Sequence, residues 1–253
     1  MSAILEATDL TVRFGGLRAN DGIDLTVEEG QIAGLIGPNG AGKTTFIDAL
    51  TGFTPATGSI VFDGHELLGR RPHERARAGL RRTWQSLELF DDLTVRDNLR
   101  VANDRSRMRD TALDVIRPRR HVESGSIDVA LEAVGLTSLA DRMPDELSQG
   151  QRKLVSTARA LAGRPRLLCM DEPAAGLDTT ESTALAAQLE QVRASGVTML
   201  IVDHDMSLLL PLCDTLYVLE FGSVIAHGPP HDVVKDPRVI AAYLGTSGNG
   251  DGS

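Results

Sequence analysis

The spacing of apolar residues divides the chain into three regions. In residues 4–36 apolar and polar positions alternate with the period of two that predicts β-strands, and glycines mark the turns. The strands predicted there are residues 4–7, 10–14 and 23–27. From residue 86 to about 165 helical spacing dominates, and α/β character returns after residue 166, with a helix predicted near residues 181–194. The pattern therefore predicts an α/β protein with a helical middle region.

The last third of the chain contains two apolar runs of strand length, residues 167–170 and 197–202. A strand that is buried on both faces in a parallel sheet has such a continuous apolar run, and the first run fits this description. A final hairpin is predicted from residues 215–220 and 223–227, with its turn at residues 221–222.

Two stretches of the chain are rich in arginine. Between residues 66 and 82 the run of arginines predicts a solvated helical face rather than a binding patch. Residues 103–126 are poorly patterned and interrupted by Pro118, so they are predicted to form an irregular insertion. The Gly- and Ser-rich residues 247–253 are predicted to be a disordered tail.

Composition and charge exclude several classes of protein. The 253 residues carry a net charge of -9, which argues against a nucleic-acid-binding face. No apolar run is long enough to span a bilayer, and the N-terminus lacks the basic segment of a secretory signal. The expectation is a cytosolic protein unless a partner holds it at a membrane. Cys169 and Cys213 lie in apolar runs and are predicted to be core residues.

A glycine-rich segment joins an apolar run at residues 31–36 to a predicted helix. It matches the P-loop pattern and consists of Gly37, Pro38, Asn39, Gly40, Ala41, Gly42, Lys43, Thr44 and Thr45. Glycines let backbone N–H groups turn towards a phosphate, and the helix N-terminus adds partial positive charge. Lys43 can reach the β- and γ-phosphates, and the Thr44 hydroxyl can bind Mg²⁺. The segment predicts binding of a nucleoside triphosphate.

Two adjacent carboxylates, Asp171 and Glu172, follow the apolar run at residues 167–170. The carboxyl end of a parallel strand is where ligands bind in open α/β sheets. Asp171 suits the shell of Mg²⁺, and Glu172 can polarise a water for in-line attack. An acidic pair is also common by chance at the end of a strand. In a chain that also contains a P-loop, the catalytic interpretation is favoured.

A serine precedes a predicted helix at residues 148–151. A hydroxyl beside glycine amides at a helix start can bind phosphate. The alternative is a capping box, with Ser148 as the N-cap and Gln151 three residues later. From these residues alone the capped helix is favoured.

Taken together, the ordered motifs resemble the nucleotide-binding subunit of an ABC transporter. The matching positions are residues 37–45, Gln85, residues 147–151, 167–172 and 175–178, and His204. The resemblance implies a P-loop NTPase α/β fold with a RecA-like core, an antiparallel β subdomain and an α-helical subdomain. One domain is expected over residues 1–246, with its helical part at about 86–165.

The same resemblance assigns roles to individual residues. Phe14 would stack on adenine, although a core phenylalanine is the alternative. Gln85 would contact Mg²⁺ and the attacking water, and His204 would contact the γ-phosphate of ATP. Ser148 and Gly150 would contact the γ-phosphate of ATP on a second subunit, in a head-to-tail dimer. The implied cofactors are ATP and Mg²⁺. The catalytic residues would be Glu172, His204 and Gln85, and the metal ligands Thr44, Gln85 and Asp171.

Residues 147–151 correspond to the signature segment of the family, and they depart from the family pattern at one position. The family usually has two glycines after the serine, and here the first is Gln149. Since Gly150 is kept, the phosphate contact is expected to survive.

Several further stretches of the chain resemble the ATPase of branched-chain amino acid importers. They include residues 14–17, 50–53, 82–85, 173–177 and 239–245. Such a subunit would bind transmembrane permease subunits and a second ATPase, a paralogue or a copy of itself, at the cytoplasmic face of the membrane. A solute-binding protein would be an indirect partner, and nucleic acid would not be one.

Other functions remain as alternatives. The lipopolysaccharide-export ATPase shares several of these features, and a soluble ABC ATPase acting on DNA or ribosomes belongs to a different class. A P-loop kinase or GTPase is disfavoured by the signature segment and by the absence of an Asn-Lys-x-Asp motif.

Overall fold

The computed structural model describes residues 2–83, 89–103 and 124–244. Gln85, most of the predicted insertion at residues 103–126, and the tail at residues 247–253 lie outside these ranges.

The N-terminal strands form a four-stranded antiparallel sheet in the order β2-β1-β4-β5. The strands are β1 (Ala3–Phe14), β2 (Leu17–Glu28), β4 (Thr57–Phe62) and β5 (His65–Glu66). The two strands predicted at residues 4–7 and 10–14 are one continuous strand. Its pairing shifts register between Ala7 and Leu10, and Asp9 there has a positive φ of 50°. This β-bulge is the reason that the alternation appeared to stop and start again.

The second sheet has six strands in the order β10-β9-β3-β8-β7-β6. They are β3 (Ile32–Ile36), β6 (Leu80–Arg82), β7 (Leu167–Asp171), β8 (Thr198–Val202), β9 (Thr215–Glu220) and β10 (Ser223–Gly228). All pairs are parallel except β9 with β10. The strands predicted after residue 166 and the final hairpin are therefore confirmed.

The described helices are α1 (Lys43–Thr51), α2 (Pro72–Ala78), α3 (Val95–Asn103), α4 (Ser124–Ala133), α5 (Gln149–Ala162), α6 (Thr179–Ala194), α7 (Met206–Leu212), α8 (Pro230–Val233) and α9 (Pro237–Leu244). Helices α3 to α5 occupy the region predicted to be helical. The exact division of residues 1–246 into subdomains stays a prediction. Among the described helices, none combines the length and apolar character needed to cross a bilayer.

The six-stranded sheet separates two apolar cores. In β7, Leu168 and Met170 face one core, with helices α3 to α7, while Leu167 and Cys169 face the other. The second core also contains α1 and the antiparallel sheet. Since successive side chains of a strand point to opposite faces, a strand with a core on each side must be apolar throughout. This explains the continuous apolar run.

The prediction of a solvated arginine face is wrong for Arg75. This side chain lies in α2 with only 4% of the residue exposed, and the pKa of its guanidinium is lowered by burial. One terminal nitrogen donates to the carbonyl oxygens of Ala49 (2.7 Å) and Leu50 (2.8 Å) at the end of α1. The last carbonyls of a helix lack the partner that a further turn would supply. The Ala49 oxygen also accepts from the N–H of Gly52 at 3.2 Å, and Arg75 adds a charged donor to both carbonyls and joins α2 to α1.

Replacing Arg75 by Met should destabilise the fold, because it leaves these buried carbonyls without their charged donor. We expect the free energy of unfolding to fall by about 2–4 kcal/mol, measured by urea denaturation. Arg77→Met, on the exposed side of the same helix, should change it by less than about 0.5 kcal/mol. Equal effects of the two substitutions would contradict the capping role of Arg75.

Candidate active site

The sheet order brings the predicted motifs to one edge. Strands β3, β8 and β7 are neighbours and run parallel, so their carboxyl ends lie side by side. The glycine-rich loop follows β3, Glu172 follows β7, and Asp203 and His204 follow β8. Segments separated by more than 100 residues in the chain therefore meet where open α/β sheets bind ligands.

The loop between β3 and α1 needs glycine at specific positions. Gly37 and Gly42 have positive φ angles of 153° and 102°. A Cβ atom would lie 2.1 Å from the Leu219 oxygen at Gly37, and 2.4 Å from the Ala19 oxygen at Gly42. Because Gly42 is also the N-cap of α1 and has no side chain, the first amides of that helix remain available to a phosphate.

Lys43 lies at the start of α1 and is 6% exposed. Its Nζ donates to the carbonyl oxygens of Gly37 (2.7 Å) and Pro38 (3.0 Å). Burial lowers the pKa of this ammonium, and the nearby carboxylates of Glu172, Asp171 and Asp203 oppose that shift. A buried cation is costly unless an opposite charge pairs with it, and the loop supplies only neutral carbonyl oxygens. The site therefore favours binding of an anion.

Asp171 ends β7 with only 1% of its side chain exposed. Oδ2 accepts a hydrogen bond of 2.9 Å from Arg82, while Oδ1 is buried and has no protein donor among the described residues. Burial raises the pKa of this carboxyl, and Arg82 opposes the rise. A buried carboxylate oxygen without a donor fits a cation.

The donor set also fits Mg²⁺ in particular. The described residues contain no group of three His, Cys, Asp or Glu side chains that could hold a metal ion alone. Mg²⁺ usually takes one or two carboxylates and completes its shell with water and substrate phosphates. Asp171 would supply one such carboxylate, and the exposed Thr44 at the start of α1 would add a hydroxyl oxygen.

Glu172 adopts a strained backbone conformation with φ of 48°. Its N–H donates to the Val202 oxygen at 2.6 Å, which ties the end of β7 to the end of β8. Nδ1 of His204 lies 3.8 Å from Oε1 of Glu172. Strain of this kind, held in place by the surrounding structure, is typical of functional sites.

Asp203 organises the loop after β8 and was not identified from the sequence. It is fully buried, and Oδ1 accepts from the N–H groups of His204 (2.7 Å) and Asp205 (3.0 Å). Oδ2 accepts from the N–H of Ala174 at 3.1 Å, in the segment after Glu172. The signal in the sequence was a carboxylate at the end of an apolar strand, the same signal that identified Asp171.

A cavity of about 460 Å³ lies over the glycine-rich loop. The predicted site residues that line it are Phe14, Asn39, Gly40, Ala41, Gly42, Lys43, Thr44, Thr45 and Glu172. Gly37, Pro38, Asp171 and His204 lie outside the lining. Phe14 is 54% exposed, so it is not a core residue, and the lining also includes Leu17, Arg18 and Phe221, which sequence reasoning missed.

Ser148 and Gly150 do not line this cavity. Ser148 caps α5 in a reciprocal pair: its Oγ accepts from the N–H of Gln151 (3.3 Å), and its own N–H donates to Gln151 Oε1 (2.9 Å). The capping box that the sequence suggested is therefore present. Ser148 itself remains exposed, so the cap leaves the segment accessible to another molecule.

The first turns of α5 contact the segment that follows Glu172. Nζ of Lys153 donates to the Pro173 oxygen at 2.8 Å. A Cβ atom on Gly176 would lie 2.9 Å from Nε2 of Gln149, so the Gln149 side chain lies over that glycine. The unusual residue of the signature segment thus packs against the loop before α6.

Comparisons with known proteins agree with this geometry. A family profile described as ABC transporter matches residues 20–175, and one described as branched-chain amino acid ATP-binding cassette transporter matches residues 223–248. The chain is 41% identical to the branched-chain amino acid transport ATP-binding protein BraF of Pseudomonas aeruginosa, over 96% of this chain and 98% of BraF. It is 36% identical to LivG of Escherichia coli, with the same coverage.

Other relatives extend the comparison. The lipopolysaccharide export system ATP-binding protein LptB of Escherichia coli is 35% identical, over 96% of this chain and 98% of LptB. A crystal structure of the ADP conformation of an ATP-binding cassette of an ABC transporter superposes with a TM-score of 0.86 at 32% identity, over 97% of this chain and all of that one.

The fold class predicted from the sequence is confirmed, since the two sheets and the solved cassettes agree. The similarity extends over nearly the whole chain. The chain belongs to the ABC transporter family and is an ATP-binding subunit that hydrolyses ATP.

Proposed function

We propose that this chain powers the uptake of branched-chain amino acids, or of related small polar solutes, through transmembrane permease subunits at the cytoplasmic face of a membrane. The observation that carries the proposal is the match of residues 223–248 to the branched-chain cassette profile. These residues lie outside the loops that carry the chemistry, so similarity there bears on the type of transporter and not on ATP hydrolysis. A solute-binding protein would deliver the solute to the permeases.

The nucleotide would lie in the cavity over the glycine-rich loop. Phe14 would stack on the base, and the amides of residues 37–45 with the Lys43 ammonium would bind the phosphates. Thr44 and Oδ1 of Asp171 would hold Mg²⁺, which neutralises charge on the β- and γ-phosphates when bound. The buried Lys43, and the Asp171 oxygen that has no donor in the described part of the chain, support this assignment.

Glu172 and His204 would act on the γ-phosphate. Glu172 lines the cavity, where it would orient a water for in-line attack. His204, within 3.8 Å of it, would contact the γ-phosphate itself. Gln85 lies outside the described residues, and its proposed contacts with Mg²⁺ and the water depend on its position in the motif order alone.

Ser148 and Gly150 would complete the ATP site of a second subunit, either a paralogue or another copy of this chain. They are separate from this chain's own cavity, and Ser148 is exposed at the start of α5. A head-to-tail dimer would bring such a segment onto the partner's γ-phosphate, where the helix N-terminus stabilises negative charge. ATP would then join the two subunits, and hydrolysis would release them.

Glu172→Gln should keep ATP binding and lower the rate of hydrolysis about 10²–10⁴-fold, because a general base or water-orienting group contributes this much. Single-turnover hydrolysis and nucleotide titration are the measurements. Since the amide has the size of the carboxylate, unfolding should not contribute. Turnover at the normal rate would remove Glu172 from catalysis.

Two substitutions at Ser148 separate a phosphate contact from a helix cap. Ser148→Asp preserves the cap, because aspartate is as good an N-cap as serine, but it places a negative charge towards the phosphate. Ser148→Arg removes the cap at a cost of about 1 kcal/mol and adds bulk. We expect both variants to bind ATP as isolated chains but to lose ATP-dependent dimerisation, measured by size exclusion in the Glu172→Gln background.

If the segment only caps α5, Ser148→Asp will dimerise normally and Ser148→Arg will be slightly less stable. In an assembly with a paralogue, the substitutions should silence only the partner's site and reduce ATPase activity in part.

The transported solute is tested by uptake in cells. Deletion of the gene should lower accumulation of radiolabelled leucine, isoleucine and valine, and the wild-type gene should restore it while the Glu172→Gln gene does not. Unchanged uptake, together with a defect in export of envelope lipid, would favour the function named for LptB. Unchanged uptake and export together would favour a non-transport ATPase.

A further inference from the structure

Arg82 connects three elements of the active site. It ends β6 with 7% of its side chain exposed, and one terminal nitrogen donates to Oδ2 of Asp171 at 2.9 Å. The other terminal nitrogen donates to Oδ1 of Asp48, in the middle of α1. A single guanidinium therefore joins the strand that carries Asp171 to the helix that carries Thr44.

The arrangement requires the shape of arginine. A planar guanidinium can donate in two directions at once, whereas a lysine ammonium on a flexible stem is a single point of charge. Two carboxylates share one cation here, and Asp48, with 31% of its side chain exposed, offsets the charge of Arg82. The negative charge of Asp171 is thus left to act on another cation.

The hydrogen bond from Arg82 also decides which oxygen of Asp171 is left over. Oδ2 is occupied, and Oδ1 is buried without a donor among the described residues. Buried polar atoms nearly always have a partner, so an oxygen that lacks one needs an explanation. A cation bound at Oδ1 supplies that partner.

We propose that Arg82 is a positioning residue for Mg²⁺. It holds the Asp171 carboxylate with Oδ1 turned to the metal, and it fixes β7, which carries Asp171, in position relative to α1, which carries Thr44. The inference depends on the proposed role of Asp171 in binding Mg²⁺. Residues that orient a metal ligand by hydrogen bonding typically affect metal affinity roughly 10–100-fold.

The test compares nucleotide affinity with and without the metal. In the Glu172→Gln background, the Kd of the full chain for fluorescent mant-ATP is measured in Mg²⁺ and in EDTA, and the Kd in EDTA divided by the Kd in Mg²⁺ reports the contribution of the metal. Arg82→Met should lower this ratio roughly tenfold or more and leave the Kd in EDTA within about twofold of the parent. Arg82→Lys should lower it less, because lysine can reach one carboxylate.

Two further variants test whether Arg82 acts on metal binding through Asp171 or through Asp48. Asp48→Asn keeps the hydrogen bond from Arg82 to Asp171 and should retain most of the ratio. Asp171→Asn should lower the ratio as far as Arg82→Met does, and the double variant should lower it no further, since residues that act through one contact are not additive.

The inference is overturned if Arg82→Met keeps the parental ratio, or if it weakens binding equally in Mg²⁺ and EDTA, as a purely structural residue would. If Arg82→Met does not fold, Arg82→Lys decides, and a parental ratio in that variant overturns the inference. A parental ratio in Asp171→Asn would instead overturn the proposed role of Asp171, and the inference with it.

Discussion

The burial of the central sheet on both faces is the constraint on which the rest of this protein depends. Every residue of β3, β7 and β8 is buried, so these strands carry no exposed polar side chain along their length. Polar chemistry can occur only where the strands end, and parallel pairing puts all three carboxyl ends at one edge. The glycine-rich loop, Asp171 and Asp203 lie there for this physical reason. The site is thus a consequence of the sheet order.

Buried charges at that edge are arranged in partly compensated sets. Lys43 is held by loop carbonyls, Asp171 by Arg82, and Asp203 by three backbone N–H groups. Burial still lowers the pKa of Lys43 and raises that of Asp171, so the neighbours of each group compensate its charge only in part. In the proposed function, a triphosphate would compensate the charge of Lys43 and a divalent cation that of Asp171. The edge is therefore organised before either arrives, as electrostatic preorganisation requires.

The signature segment and the residues that follow Glu172 are in contact within one chain. Lys153 donates to the Pro173 oxygen, and Gln149 lies over Gly176, so the start of α5 rests on the residues that follow Glu172. In a head-to-tail dimer, α5 would face the partner's nucleotide while Glu172 faces its own. The same contacts give Gln149 a role in place of the usual glycine, because its longer side chain reaches the loop that a glycine would leave uncovered.

The sequence by itself determined the motifs, the central strands, the final hairpin and the class of fold, because periodicity and loop chemistry are local properties. Arg75 and Arg82 were expected on a solvated face, and only the tertiary structure decided that both are buried, since their partners lie 26 and 89 residues away. Phe221 was missed because nothing nearby in the chain distinguishes an aromatic residue over a cavity. Asp203 carried the same strand-end signal as Asp171, but its hydrogen bond to Ala174, 29 residues away, is visible only in the folded chain. The conformation of a loop can be predicted from its own residues. Whether a charged side chain is buried, and which charge it pairs with, depends on the distant segments that the sheet brings together.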